Sequence, residues 1–158
     1  MNSKQASGLT MVGGLLLALG SFLSWATVSG AIGTALEQAG EKASQTGTGG
    51  GDGWITLVIG VVLIVTGYLA FAGKGLPVWV GWTAAVLGLA MAVFEYFSLQ
   101  GDASDINDLI SQTGLDGKAS IGIGFWIVAL GAVAGIIGVA MGRTKKTAEG
   151  SAGSIEAS

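Results

Sequence analysis

The sequence predicts an all-α integral membrane protein: a four-helix transmembrane bundle built from two similar helical hairpins, with short helical segments in its extracytoplasmic loops. Three observations predict it, namely a strongly apolar composition, four long apolar segments, and a seven-residue glycine step that recurs through all four. Of 158 residues, 51% are hydrophobic and 11% charged, and the mean hydropathy is +0.69. Soluble domains carry about 25% charged residues, so water is not the main solvent of this chain. Cysteine and histidine are both absent, which removes disulfides, thiolate metal sites and the commonest metal ligand and general base. The net charge of -3 gives no reason to expect nucleic-acid binding.

A hydrocarbon core about 30 Å thick requires about 20 apolar residues of helix. Residues 8–28, 54–72, 78–98 and 121–142 each meet that requirement, and Glu95 is the one charged residue within them. The first segment follows Lys4 and precedes the small residues Ser29, Gly30 and Ala31, as in a signal peptide. Its apolar run exceeds the 7–15 residues of a typical signal core, so it is expected to be retained. One membrane domain over residues 1–142 follows, with outer loops at 29–53 and 99–120. The small, polar tail 143–158 is expected to be disordered.

Orientation follows from the basic residues. With alternating spans, Lys4, Lys74, Arg143, Lys145 and Lys146 share one side, against Lys42 and Lys118 on the other. The positive-inside rule makes the first side cytoplasmic and predicts a multi-pass plasma-membrane protein with both termini inside. The outer loops collect Glu37, Glu41, Asp52, Asp102, Asp105, Asp108 and Asp116. Trp25, Trp54 and Trp126 fall at outer span ends and Trp79 and Trp82 at an inner one, where indoles prefer the interface.

The cytoplasmic turn Gly73, Lys74, Gly75, Leu76 is short, and Pro77 stands where the first helical turn tolerates it. Spans two and three are therefore antiparallel neighbours. In the second outer loop, Asp102 to Gly114 puts Ile106, Leu109 and Ile110 on one face, predicting a short amphipathic surface helix stopped at Gly114. Thr34 to Ala43 offers a weaker version in the first loop, and TGTGGGDG after it reads as flexible or turn-forming.

The glycine step runs Gly13, Gly20; Gly53, Gly60, Gly67; Gly81, Gly88; and Gly124, Gly131, Gly138. Seven residues return to nearly the same helix face. Shifts of 68 and 71 residues superimpose the first two sets on the last two, the pattern of a duplicated hairpin. Since lipid tails are as apolar as leucine, spans associate by close packing at small residues. These glycines, with the small-xxx-small pairs Gly131/Gly135 and Gly138/Gly142, are read as inner seams of a bundle or as an interface for a partner helix. The period favours left-handed crossings near +20°.

An ionisable residue in a span is a functional candidate. At about 1.5 Å per residue from Val78, Glu95 comes near the outer interface, a depth that suits a carboxylate meeting water or pairing with Lys42 or Lys118 as well as one that binds a transported ion. Asp52 is placed to cap span two. Ser21, Ser24, Thr27, Thr56, Thr66 and Thr83 have carbonyls of their own helices within reach. Asp102, Asp105 and Asp108 lack the EF-hand ligand and glycine pattern and read as a solvated face. Nucleophile–base pairs, phosphate loops and metal-ligand clusters are missing from the sequence.

SFLSWATVSG, GDGWITLVIG and IGIGFW together resemble the small four-span membrane proteins common in actinobacteria. The resemblance spans Leu9 to Gly142 and implies a four-helix bundle with an extracytoplasmic cap and no established activity. Those proteins often read SFLPW where this chain has Ser24, so the helix end is expected to be less sharply broken. The expectation for function is a non-enzymatic accessory or scaffolding protein, without cofactor or metal, in contact with lipids and with other membrane subunits or copies of itself. The alternative is a small oligomeric transporter or channel using Glu95.

Overall fold

The computed structural model describes residues 3–50, 52–74, 76–114 and 116–153. The chain is mostly helical, in the order α1 (Ser3–Gly20), β1 (Ser24–Ser29), α2 (Gly30–Gln38), β2 (Ser44–Thr46), α3 (Gly47–Gly50), α4 (Gly53–Phe71), α5 (Val78–Thr113), β3 (Lys118–Ile121) and α6 (Ile123–Gly153). Among the described residues, three stretches are long and apolar enough to cross a membrane: Gly53–Phe71, the apolar part of Val78–Thr113, and Ile123–Gly142.

α1, α4, α5 and α6 form the bundle. Antiparallel packing is read directly from side-chain levels: Gly13 meets Gly131 and Gly135 while Gly20 meets Gly124, and Gly14 meets Gly60 while Gly67 meets Ser7 and Met11. α1 packs most extensively on α6 and α4, and α5 closes the ring against both. Leu17, Leu63, Ala85, Val128 and Ala132 fill the centre at 0–1% exposure. Large apolar side chains on the outside, among them Val58, Val61, Phe94, Leu130 and Val133, remain exposed, as expected where lipid rather than water surrounds the helices.

The first expected span differs. Its helix stops at Gly20, and Ser24–Ser29 is instead the middle strand of a three-stranded sheet, β2-β1-β3. β1 pairs antiparallel with β2 (Thr27 opposite Ser44) and with β3 (Val28 opposite Ala119). The switch is a turn in which the Leu23 amide donates to the Gly20 carbonyl. An apolar, β-branched run such as Trp25–Val28 suits a strand as well as a helix end; partners contributed by two distant loops decide for the strand. The 68-residue shift that aligns glycines therefore sets this strand against residues of helix α5.

The second outer loop differs as well. Rather than a span followed by a separate helix, α5 is one helix of 36 residues. At 1.5 Å per residue it is about 54 Å long, against a hydrocarbon core of about 30 Å. Gly101 sits inside it; a mid-helix glycine costs about 0.5–1 kcal/mol, too little to break a helix braced along its length. Gly114 does end it, in the left-handed region at φ 66°. Of the expected apolar face only Ile110 is buried, while Leu109 is 62% exposed. The glycine run after Thr46 contributes one helical turn, α3, with Gly51 outside the described residues. Gly75 and residues 154–158 of the tail also lie outside them.

Asn107 ties the projecting part of α5 to the sheet. Its amide nitrogen donates to the Ala119 carbonyl (3.1 Å) and its oxygen accepts from the Ala119 amide (2.8 Å), as a neighbouring strand would. The open edge of β3 is thereby occupied. Asn107→Ala leaves a buried backbone donor and acceptor without partners, for an expected loss of about 1–3 kcal/mol. Faster amide exchange at Ala119, with exchange in the bundle centre unchanged, is the signature to measure.

Candidate functional site

The glycines named from sequence lie against helices of this same chain. A Cβ built on Gly13 would stand 2.5 Å from the Gly135 amide nitrogen and 2.7 Å from the Gly131 carbonyl; one on Gly60, 2.7 Å from the Gly14 carbonyl. Gly20 faces Val128, Gly67 faces Met11, Gly138 faces Thr10, and Gly131 faces Leu17. Gly81 and Gly88 are looser, at 3.2 Å from Thr66 and 3.3 Å from Ile59. Gly14 was not among the expected seam residues because it is off the seven-residue step. Successive residues point about 100° apart on a helix, so Gly13 and Gly14 serve α6 and α4 respectively.

That packing fixes the register from which a polar site follows. Gly88 of α5 lies over Ile59 of α4. Seven residues on from Gly88 is Glu95, and seven back from Ile59 is Asp52, each on the face it started from. The two carboxylates thus meet at the sheet end of the bundle, where they line a pocket of about 120 Å³ with Asp102, one further α5 level along. Trp25, Ala26 and Leu99 supply apolar lining, and Gln45, Thr46, Gly47 and Ser98 complete it.

Glu95 is 6% exposed, and its Oε1 is buried with no hydrogen-bond partner. The expected pairing with Lys42 or Lys118 is replaced by this acidic neighbourhood. Asp52 stands at the N-cap position of α4 but makes no side-chain capping bond, a second departure. Its backbone is helical there (φ -81°, ψ -20°), whereas a capping side chain needs the extended conformation to reach back to the first-turn amides. One turn further along α4, Thr56 is 1% exposed and its Oγ1 is also unpartnered, unlike Ser21 and Thr66, whose hydroxyls donate to Leu17 and Val62 carbonyls at 2.8 Å.

Trp25 is 4% exposed rather than interfacial. Its indole nitrogen donates to the Gly20 carbonyl at 2.9 Å, and its ring meets Phe125 edge-on at 6.5 Å between centroids. Gly47 lies so close that any side chain there would enter the ring. Trp54, Trp79 and Trp126 are exposed at bundle ends; the Trp82 indole nitrogen is buried and unpartnered. Asp105 and Asp108 are exposed on the projecting stretch of α5. Among the described residues, no three Asp, Glu, His or Cys side chains converge closely enough to hold a metal ion. No family model, curated protein or solved structure matches the chain.

Proposed function

We propose that this protein is a non-enzymatic accessory or scaffolding subunit of a membrane complex. It crosses the bilayer four times with both termini in the cytoplasm and presents the sheet end outside. α1 is the fourth span: its 18 residues give about 27 Å of helix, and its polar start, Ser3 to Gln5, lies at the end of the bundle away from the sheet. Lys4, 5.7 Å from the Phe71 ring, and Lys74 belong to that same end, which the positive-inside rule makes cytoplasmic. The resemblance to small actinobacterial four-span proteins belongs to the same reading.

The observation that carries the proposal is the braced projection of α5. About 24 Å of helix extends past one bilayer thickness and is tied to a sheet by Asn107. A loop whose only task is to return the chain needs no such brace. The projection carries Asp105 and Asp108 beside exposed Leu109, which fits a partner subunit with a basic and partly apolar outer surface. The filled bundle centre favours this over the transporter reading, because Leu17, Leu63 and Val128 occupy it at 0–1% exposure.

Native mass spectrometry after gentle detergent extraction tests the proposal. A partner subunit or second copy is expected on the wild-type chain, and the double reversal D105K/D108K is expected to weaken its retention about tenfold, equivalent to ~1.4 kcal/mol. A strictly monomeric, partner-free wild type, or retention unchanged by the reversal, counts against it.

A further inference from the structure

We propose that the pocket formed by Glu95, Asp52 and Asp102 binds a primary ammonium group, donated by an aminophospholipid headgroup or by a small free amine. Three carboxyl groups line it and, among the described residues, no lysine or arginine does. The polar residues Gln45, Thr46 and Ser98 also line it. The deepest carboxylate, on Glu95, is more than nine-tenths buried with Oε1 unpartnered. Carboxyl groups gathered in one pocket repel one another when ionised, and a buried one is costly to charge, so a site of this composition is stabilised by a cation that donates hydrogen bonds.

The choice among cations follows from geometry. The carboxylates are spread too widely to ligate one metal ion, whereas an –NH₃⁺ group offers three donors that reach separate acceptors. A quaternary ammonium offers none. Its remaining attraction is to an aromatic face, and Trp25, the aromatic residue in the lining, is only 4% exposed. At about 120 Å³ the pocket admits only a few heavy atoms, the size of an ethanolamine-type end group. On the orientation proposed above, exposed Trp54 and Trp126 lie at the same end of the bundle and put the pocket at the depth of lipid headgroups.

The test uses the full chain reconstituted in bilayers of equal ethanolamine- and choline-headgroup phospholipid of the same acyl chains, with co-purifying lipid read by native mass spectrometry. About tenfold enrichment of the ethanolamine lipid, lost in Glu95→Gln and kept in Asp108→Asn, supports the proposal with lipid as the source. Without that enrichment, a rise in melting temperature with free ethylamine but not with tetramethylammonium supports it with a soluble amine as the source, and this comparison needs no variant. Equal retention of both lipids with no response to ethylamine overturns the proposal, as does an enrichment that persists in Glu95→Gln. Asp105 and Asp108 do not line the pocket, so failure here is distinguishable from failure of the partner reading.

Discussion

Replacing Gly13 by alanine is expected to destabilise the bundle by about 3 kcal/mol, at the upper end of what one added methyl does in a packed core. The new Cβ would meet the Gly135 amide nitrogen at 2.5 Å and the Gly131 carbonyl at 2.7 Å. Both are backbone atoms on α6, so no side chain can rotate away; the helices themselves must separate. Separation of α1 from α6 also disturbs α4, since α1 packs on α4 at Gly14, where a built Cβ would stand 2.5 Å from the Gly60 carbonyl. Gly8→Ala is the matched control in the same helix, where the added Cβ has nothing within 4 Å and helix propensity favours alanine by about 0.5–1 kcal/mol. Denaturant titration in mixed micelles, followed by circular dichroism, should therefore move in opposite directions for the two variants. Equal midpoints would mean that the seam tolerates a wider crossing than its geometry implies.

Trp25→Ala is expected to cost about 3–5 kcal/mol, the range for emptying a buried aromatic site. The residue joins the bundle to the sheet in three ways: its indole donates to the Gly20 carbonyl, its ring packs against Phe125, and its own carbonyl accepts from the Gly122 amide at 2.7 Å. Truncation removes the first two, while the backbone bond to Gly122 persists. Loss of protection should thus begin in β1 and β2 and reach α6 only later, an order that hydrogen exchange resolves. Trp25→Phe fills most of the volume but removes the indole's hydrogen bond to the Gly20 carbonyl, which keeps the Leu23 amide as its donor, for an expected loss of about 0.5–1.5 kcal/mol. If both variants exchange like wild type in β1, the indole is not what anchors the sheet.

The positions of residues such as Gly13 and Gly60 along their helices were legible because α-helical periodicity is local: a seven-residue step marks one face whatever that face meets. The apolar lengths of α4, α5 and α6 were legible for a similar reason, since bilayer thickness sets the number of residues a helix needs. Gly114 as the end of α5 followed from its freedom to take positive φ. Which partner each glycine touches was not local information. Gly13 and Gly14 differ by one residue yet approach different helices.

The acidic pocket belongs to this second kind. Glu95 stood out as a charge in an apolar segment, but its companions lie 43 residues before it and seven after it in the chain. Asp52 read as a cap and Asp102 as a solvated face, because each has a local explanation that suffices by itself. Only the level at which α4 packs on α5, set by Ile59 beneath Gly88, brings the two carboxylates together.

By itself, then, the sequence determined an apolar helical chain, with its charges collected at the two ends of its helices and glycine notches at a helical period. Length, hydropathy and period are sums over neighbouring residues, and these features need nothing more. The tertiary structure decided that Ser24–Ser29 is a strand, that α5 continues unbroken to Thr113, and that Asp52, Glu95 and Asp102 share a pocket. Each of those outcomes depends on a partner distant in sequence: β3 for β1, Ala119 for Asn107, and α4 for Glu95. A backbone hydrogen bond or a packed methyl is short-ranged in space, not along the chain, and its contribution exists only once the fold has brought the two sides together.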